Sequence, residues 1–245
     1  MGGLIDRDVD DRDLDTEGAE TSSHTNDAVQ AVKQAGMTGV ILAGGQNRRM
    51  NGQVKALLPF GKDTLLERQL REMRTICREV LIVTVYPHVF APLIAEDDGV
   101  RTVSDIIPSK GPLSGIHAAF SFARHRDVWV VACDMPFISA VAAQAMQEVK
   151  VRENYDAVIP LIDGKRHPLH GVYGRSAAEI VAQLLHGGKR RVKDLLSQLN
   201  WKAADETFFY EYDVGPRFVT NINTPEQYDA AKLLAEQLSH GTRYR

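Results

Sequence analysis

Two glycines and three basic side chains stand close together in the segment 42–55. Gly44 and Gly45 follow directly on an apolar run, and Arg48, Arg49 and Lys55 come next. Glycine lets backbone N–H groups approach a phosphate closely, and guanidinium and ammonium groups neutralise phosphate oxygens. The segment matches neither the Walker A pattern nor the Gly-x-Gly-x-x-Gly pattern. It predicts a loop that binds a nucleoside triphosphate, although on composition alone a solvated Gly-rich turn would explain it equally well.

Asp134 also follows directly on an apolar run, in the sequence Cys133-Asp134-Met135-Pro136. Mg²⁺ binds one or two carboxylates and fills its other octahedral positions with water and substrate phosphate. Asp134 is therefore the predicted metal ligand. The alternative is an Asp that only caps the turn before Pro136. The histidines are scattered without the spacing of zinc ligands, so no zinc site is expected.

Asp105 and Gly111 mark a third polar segment, which follows the short apolar run 100–104. A carboxylate at position 105 can accept hydrogen bonds from a base or a sugar. Gly111 precedes Pro112, which is typical of the first turn of a helix, and the N-terminus of that helix would face the ligand. Taken alone, an ordinary loop with a helix cap explains this segment better. Because all three segments follow apolar runs, we expect them to converge on one pocket.

Short apolar runs alternate with helical patterns from Thr38 onward. This alternation predicts an α/β fold with a three-layer, doubly wound, mostly parallel sheet, in which ligands bind beyond the carboxyl ends of the strands. The predicted strands are 39–42, 80–83, 100–104, 128–132, 157–159 and 171–173, with two late aromatic ones at 208–210 and 218–219. The predicted helices are 65–77, one from Pro112, 140–149 capped by Ser139, one capped by Ser176 that ends at Leu185, and 224 to about 239.

The N-terminal segment differs from the rest of the chain in charge. Residues 1–36 hold nine acidic and three basic side chains, a net charge of −6, whereas the remaining 209 residues carry a net charge of +3. The segment is poor in large apolar residues, which predicts a disordered acidic tail followed by a single domain over 37–245. The small basic excess argues against a nucleic-acid partner. Two cysteines, no apolar run of about 20 residues and no signal-peptide features favour the cytoplasm, with no membrane partner.

Several motifs together resemble the molybdenum cofactor guanylyltransferases, the MobA family. The resemblance covers roughly Thr38 to Leu238 and leaves out the tail. The motifs stand in the family's order. They are Leu42-Ala43-Gly44-Gly45-x-x-x-Arg49-Met50-x-Gly52-x-x-Lys55, Gly111-Pro112-Leu113-x-Gly115, Cys133-Asp134-Met135-Pro136, His167-Pro168-Leu169, Gly188-Lys189-Arg190-Arg191 and Asn221-Ile222-Asn223-Thr224-Pro225.

This resemblance implies a Rossmann-like, GT-A-type nucleotidyltransferase fold. It also implies transfer of GMP from GTP to the terminal phosphate of molybdopterin, with Mg²⁺ as cofactor and pyrophosphate as the leaving group. The residues to which it assigns nucleotide contacts are Leu42, Ala43, Gly44, Gly45, Lys55, Asp105, Gly111 and Asp134. The residues expected to act in catalysis are Arg49, Lys55 and Asp134. Two positions depart from the family pattern: Asn51 stands where a glycine is usual, and Thr84 where some members have Asn.

Four residues are predicted to bind the acceptor, molybdopterin. Arg190 and Arg191 follow a double glycine and are predicted to pair with the pterin phosphate, although a solvated helix start is an equally good interpretation. Asn221 and Asn223 are predicted to hydrogen-bond the pterin ring. GTP and molybdopterin are thus the expected small-molecule partners, with transient contact to other proteins of molybdenum cofactor biosynthesis.

Two other functions remain open at this stage. A cytidylyltransferase of the molybdenum cofactor or a sugar-phosphate nucleotidyltransferase would share the first loop and differ in nucleotide or acceptor. A non-catalytic nucleotide-binding regulator would keep the pocket. The presence of both Lys55 and Asp134 argues against the regulator, because a protein that only binds nucleotide can lose the metal ligand without loss of function.

Overall fold

The computed structural model describes residues 36–44, 54–95, 97–104, 106 and 111–241. Its centre is an eight-stranded sheet. The strands of this sheet are β1 Met37–Leu42, β4 Cys77–Val83, β5 Val100–Val103, β6 Asp127–Ala132, β7 Ala157–Ile162, β8 Lys165–Arg166, β9 His170–Gly174 and β10 Trp201–Asp205. Seven of them lie in the order β10-β7-β9-β6-β1-β4-β5, and β8 pairs with β7. A separate hairpin pairs β2 Pro59–Phe60 with β3 Asp63–Thr64.

Eight α-helices flank or follow these strands within the described residues. They are α1 Leu65–Met73, α2 Pro87–Ile94, α3 Pro112–Phe122, α4 Ala140–Arg152, α5 Ala178–His186, α6 Val192–Leu196, α7 Glu206–Tyr210 and α8 Pro225–Gly241; 3₁₀ turns lie at Lys55–Leu57, Arg175–Ala177 and Pro216–Val219. None of the helices in the described part of the chain is both long and apolar enough to cross a membrane.

The predicted fold class is confirmed: the sheet is mostly parallel and covered on both faces. β1 pairs in parallel with both β4 and β6, and only β8 and β9 run antiparallel to their neighbours in this sheet. Alternate residues of β1 enter two different cores, Ile41 facing α1 and α4 and Val40 facing α3, α5 and α6. Burial on both faces explains why the central strands read as unbroken apolar runs.

The end of the first predicted helix was wrong. α1 stops at Met73, and Cys77 begins β4 instead of continuing the helix. Cys77 is buried in the same core as Leu66 and Leu70, so its apolar character reflects burial and not helical spacing. The N-terminus of α1 is fixed by a capping box between Thr64 and Glu67.

The two late strands were also wrong. Residues 208–210 lie in α7, where the Asp205 side chain accepts a hydrogen bond from the Phe208 N–H at 3.0 Å, and 218–219 lie in a 3₁₀ turn. Phe209 and Phe218 pack edge to face at 4.7 Å between ring centroids. Their aromatic side chains therefore contribute to the core. The strand β10, which the sequence analysis did not predict, lies just before α7 in the chain. Ser176 does not cap α5, because a 3₁₀ turn precedes that helix.

Candidate functional site

The C-terminal ends of β1 and β6 lie side by side, at the point where the chain connections of the sheet diverge to opposite sides. A hydrogen bond joins the two ends, because the Cys133 N–H donates to the Leu42 carbonyl at 3.2 Å; on the other side of β1, the Ala43 N–H donates to the Val83 carbonyl at the end of β4 at 2.9 Å. Beyond them Gly44 is exposed, and a Cβ there would meet nothing within 4 Å. An open crevice at this position is where doubly wound sheets bind ligands.

The Asp134 carboxylate lies in the turn after β6, with only 16% of its side chain exposed. Its Oδ1 accepts a hydrogen bond from the Asn221 amide at 3.2 Å, and its Oδ2 lies 3.3 Å from the Lys55 ammonium. The Asp134 carbonyl also accepts from the Ile222 N–H at 2.9 Å. The carboxylate is therefore held by two side-chain donors that lie outside its own turn.

Lys55 reaches three acceptors from the first position of a 3₁₀ turn. Besides Asp134, its Nζ donates to the Ile222 carbonyl at 3.0 Å and to Asn223 Oδ1 at 3.2 Å. The side chain is 15% exposed. An ammonium has three N–H donors, so all three are used within this network.

The segment that carries Asn221 and Asn223 is itself fixed at both ends. Ile222 is buried against the hairpin and α8, and the Gln227 side chain accepts from the Asn223 and Thr224 N–H groups at 2.7 and 3.2 Å. The predicted capping box at the start of α8 is thus present. The structure therefore joins Asn221 and Asn223 to Asp134 and Lys55.

Two residues that sequence reasoning missed clamp the turn around Asp134 from α1. The buried Gln69 amide donates to the carbonyls of Ala132 and Met135, both at 2.8 Å, and Arg68 donates to the Pro136 carbonyl at 2.7 Å. The signal in the sequence was a glutamine placed beside Leu70 on the apolar side of a helix, where a polar side chain needs a partner.

Gly111 lies at the N-cap of α3 with a φ of 131°, which favours glycine. A Cβ there would lie 2.9 Å from the Arg190 carbonyl oxygen, so the segment with the two exposed arginines packs against the start of α3. A Cβ on Gly115, one turn further, would lie 3.3 Å from Leu42. The structure therefore brings the arginine segment, the start of α3 and the end of β1 to the same edge of the sheet.

Three of the predicted site residues lie outside the described residues: Gly45, Arg49 and Asp105. The structure therefore shows the predicted convergence for the segments that follow β1 and β6 and, in the third segment, for Gly111.

Within the described residues, the thiol next to Asp134 in the sequence is unsuited to act as a nucleophile. Burial raises the pKa of the Cys133 thiol to about 12, so it stays protonated near neutral pH. Among the described residues no three His, Cys, Asp or Glu side chains gather as a metal cluster. A single carboxylate beside the crevice is a type of ligand that Mg²⁺ uses when substrate phosphates and water complete its coordination.

Comparisons with known proteins agree on one family. Residues 39–203 match the model of the MobA-like NTP transferase domain. A protein of Pelotomaculum thermopropionicum named "Probable molybdenum cofactor guanylyltransferase" is 36% identical over 206 residues, which cover 83% of this chain and 96% of that protein. A protein of the same name from Clostridium perfringens is 31% identical, covering 77% and 92%.

Solved structures show the same relationship. The molybdopterin-guanine dinucleotide biosynthesis protein A of Archaeoglobus fulgidus superimposes with a TM-score of 0.70 at 25% identity, covering 82% of this chain and all of that one. A CMP:2-keto-3-deoxy-manno-octonic acid synthetase in complex with CTP superimposes with a TM-score of 0.63 at 12% identity, covering 82% and 99%. The second similarity concerns the fold alone.

Proposed function

This chain belongs to the MobA-like NTP transferase domain family, and on that basis we propose that it transfers GMP from GTP to the terminal phosphate of molybdopterin. The observation that carries the proposal is the network of Lys55, Asp134, Asn221 and Asn223 at the joined ends of β1 and β6. It places one carboxylate and one ammonium at the ligand-binding edge of a nucleotidyltransferase fold. The names of the relatives supply the nucleotide and the acceptor.

The reaction needs no nucleophile from the protein. A phosphate oxygen of molybdopterin attacks the α-phosphorus of GTP, a P–O bond forms, and the bond between the α- and β-phosphates breaks with its electron pair leaving on pyrophosphate. The acceptor phosphate is already ionised near neutral pH, so no strong base is required. Catalysis then consists mainly of positioning the reactants and stabilising charge.

Lys55 and Asp134 divide this work. Bound Mg²⁺ would supply a positive charge that neutralises phosphate oxygens, and Asp134 is the residue that would hold it. Lys55 is held beside Asp134 by Asn223 and the Ile222 carbonyl, and it would bind the leaving pyrophosphate by exchanging one of these three acceptors for a phosphate oxygen. Arg49 is assigned the same charge-stabilising role.

The nucleotide and the acceptor are assigned to neighbouring parts of the crevice. Backbone groups of Leu42, Ala43, Gly44 and Gly45 would contact GTP, together with Asp105 and Gly111. Arg190 and Arg191 would bind the acceptor phosphate, because their segment packs against Gly111 at the start of α3. Asn221 and Asn223 would then face both the metal site and the pterin.

Nucleotide choice separates the proposal from its closest alternative. The fold is shared with an enzyme whose solved structure holds CTP, so the sheet itself does not select guanine. If the protein were a cytidylyltransferase, it would bind CTP in preference to GTP. Relatives named guanylyltransferase at 30–36% identity favour GTP. We also assign the enzyme to the cytoplasm, with transient contact to other proteins of molybdenum cofactor biosynthesis.

Kinetics of two substitutions test the catalytic assignment. Asp134→Asn and Lys55→Met each keep approximate side-chain size and remove one charge. With saturating Mg²⁺, GTP and molybdopterin, we expect the rate of pyrophosphate release to fall by about 10²–10³-fold for each, as for loss of one charged group that stabilises a transition state. Lys62→Gln, an exposed residue in the β2–β3 turn, is the matched control and should keep the normal rate. Rates within a few-fold of wild type for either site variant would refute the assignment.

A further inference from the structure

A cluster of arginines lines a second cleft, at the opposite edge of the sheet from Asp134. Arg124, Arg126, Arg175 and Ser176 line an open cleft of about 700 Å³. Arg124 and Arg126 directly precede β6, and Arg175 directly follows the antiparallel strand β9, so all three lie at the N-terminal end of β6. All three side chains are exposed.

Two acidic groups beside this cleft are already paired, and a third, Glu179, is exposed four residues after Arg175. The Asp127 carboxylate is buried and lies 2.7 Å from the buried Lys150 ammonium. The Glu79 carboxylate lies 2.8 Å from Arg101 and 3.4 Å from Arg124, and only 5% of it is exposed. Arg175 donates to the Ala123 carbonyl, which leaves its charge without an acidic partner. Among the described residues the cleft therefore presents unbalanced positive charge.

The chain enters the domain beside these arginines. Gly36 immediately precedes β1, and a Cβ on it would lie 2.8 Å from the ring of His125, the residue between Arg124 and Arg126. Thr38 holds this loop in place: its hydroxyl donates to Glu79 at 2.8 Å and accepts from the His125 N–H at 3.3 Å. The Arg124 N–H donates to the same Glu79 carboxylate at 2.9 Å. The arginine loop and the start of the domain are thus one rigid unit.

The segment that precedes Gly36 has the complementary charge. Residues 6–20 contain eight acidic and two basic side chains, a net charge of −6, whereas residues 21–35 contain one of each. The fifteen residues 21–35 can extend to about 50 Å, which is ample to return the acidic stretch to a cleft beside the entry point.

We propose that the acidic segment 6–20 binds intramolecularly in the cleft formed by Arg124, Arg126 and Arg175. Carboxylates and guanidinium groups form charge-assisted hydrogen bonds there, several of them in a partly enclosed space. Binding covers the basic face at the edge of the sheet opposite the catalytic one, so it leaves the crevice at Asp134 open. The proposal is independent of the proposed function, because none of its residues takes part in the transfer reaction.

Paramagnetic relaxation in the full chain tests the proposal. A nitroxide attached to Thr16→Cys should broaden the amide signals of residues 123–126 and 175–176 relative to the reduced, diamagnetic label. The native thiols of Cys77 and Cys133, each with a pKa raised by burial to about 12, react poorly with the label. Because screening shortens the reach of charge, raising the salt from about 50 mM to 500 mM should weaken the effect at least about threefold.

A charge variant provides the control. Arg124→Gln/Arg126→Gln keeps the Arg175 hydrogen bond and should weaken the broadening by a similar factor at low salt, with a melting temperature that shows the fold intact. Lys62→Gln removes one positive charge elsewhere and should leave the broadening unchanged. Broadening that is absent, insensitive to the double variant, or centred on residues 187–191 would overturn the proposal. Broadening that arises only between labelled and unlabelled molecules would assign the cleft to a second copy of the chain and overturn it equally.

Discussion

Asn221→Ala should weaken Mg²⁺ binding without removing the metal ligand itself. The Asn221 amide donates to Asp134 Oδ1 and so orients the carboxylate from one side, while Lys55 lies on the other. Hydrogen bonds to charged groups contribute about 1.5–3 kcal/mol net. This one measures 3.2 Å, longer than the usual 2.9–3.0 Å, so we take about 1–2 kcal/mol. That energy corresponds to about a 5–30-fold loss of affinity.

Two measurements follow this loss. The Mg²⁺ concentration that gives half the maximal rate of pyrophosphate release, at saturating GTP and molybdopterin, should rise about 5–30-fold. Direct binding of Mn²⁺, followed by electron paramagnetic resonance in the presence of GTP, should weaken by the same factor. Asn200→Ala, at an exposed position before β10, is the matched control and should change neither value.

The same experiment separates two roles for Asn221. If the amide only binds the pterin, the KM for molybdopterin rises while the Mg²⁺ and Mn²⁺ affinities stay within twofold of wild type. That result would refute the positioning role derived from the contact with Asp134. A rate that high Mg²⁺ restores to within about threefold of wild type supports it.

Three further substitutions test other parts of the structure. Burial alone would raise the pKa of Glu79, but hydrogen bonds to its carboxylate outweigh burial and hold the pKa below its ordinary value. The ionised carboxylate therefore stabilises the folded protein above about pH 4.3, and this stabilisation is lost as the pH falls through the folded-state pKa. Glu79→Gln should therefore lower the free energy of unfolding by about 1–3 kcal/mol at pH 7. Urea denaturation at several pH values should show that this free energy falls less steeply towards acid pH in the variant, and an unchanged acid dependence would contradict this. Asp127→Asn leaves the buried Lys150 ammonium without its partner and should cost about 3–5 kcal/mol in the same assay, whereas a cost below about 1 kcal/mol would show that the pair is not needed. Gly111→Ala forces a Cβ against the Arg190 carbonyl at a φ of 131°, so it disturbs both the proposed GTP contact at Gly111 and the proposed acceptor segment at Arg190. It should raise the KM for both GTP and molybdopterin, and an unchanged KM for molybdopterin would contradict the acceptor role of that segment.

Much of the fold was predictable because burial on both faces leaves a strong pattern. The central strands β1, β4 and β6 each contain a continuous apolar run of at least four residues, and the capping box at Thr224 marks the last helix. The two segments wrongly predicted as late strands carry apolar side chains that pack in the core although their backbone forms no strand. Phe209 and Phe218 belong to this class, since both are buried against each other from a short helix and a 3₁₀ turn.

The site was predictable to the extent that functional residues follow directly on strands. Asp134 follows two residues after the end of β6, whereas Lys55 reaches it across 79 positions from a 3₁₀ turn beyond the loop that follows β1. The contact of Asn221 with Asp134 was not predictable, because it depends on how the last loop folds back over β6. Gln69 was missed for a similar reason: its place on the apolar side of α1 indicates a buried partner, but its partners are backbone carbonyls, which the sequence does not identify.

The most direct test of the proposed function is the identity of the product. Purified protein is incubated with Mg²⁺, molybdopterin and either GTP or CTP, and the pterin product is identified by mass spectrometry while pyrophosphate is counted. We expect a molybdopterin guanine dinucleotide, one pyrophosphate for each molecule formed, and a kcat/KM for GTP at least about tenfold above that for CTP. A cytosine product, or pyrophosphate released without any modified pterin, would contradict the proposed function.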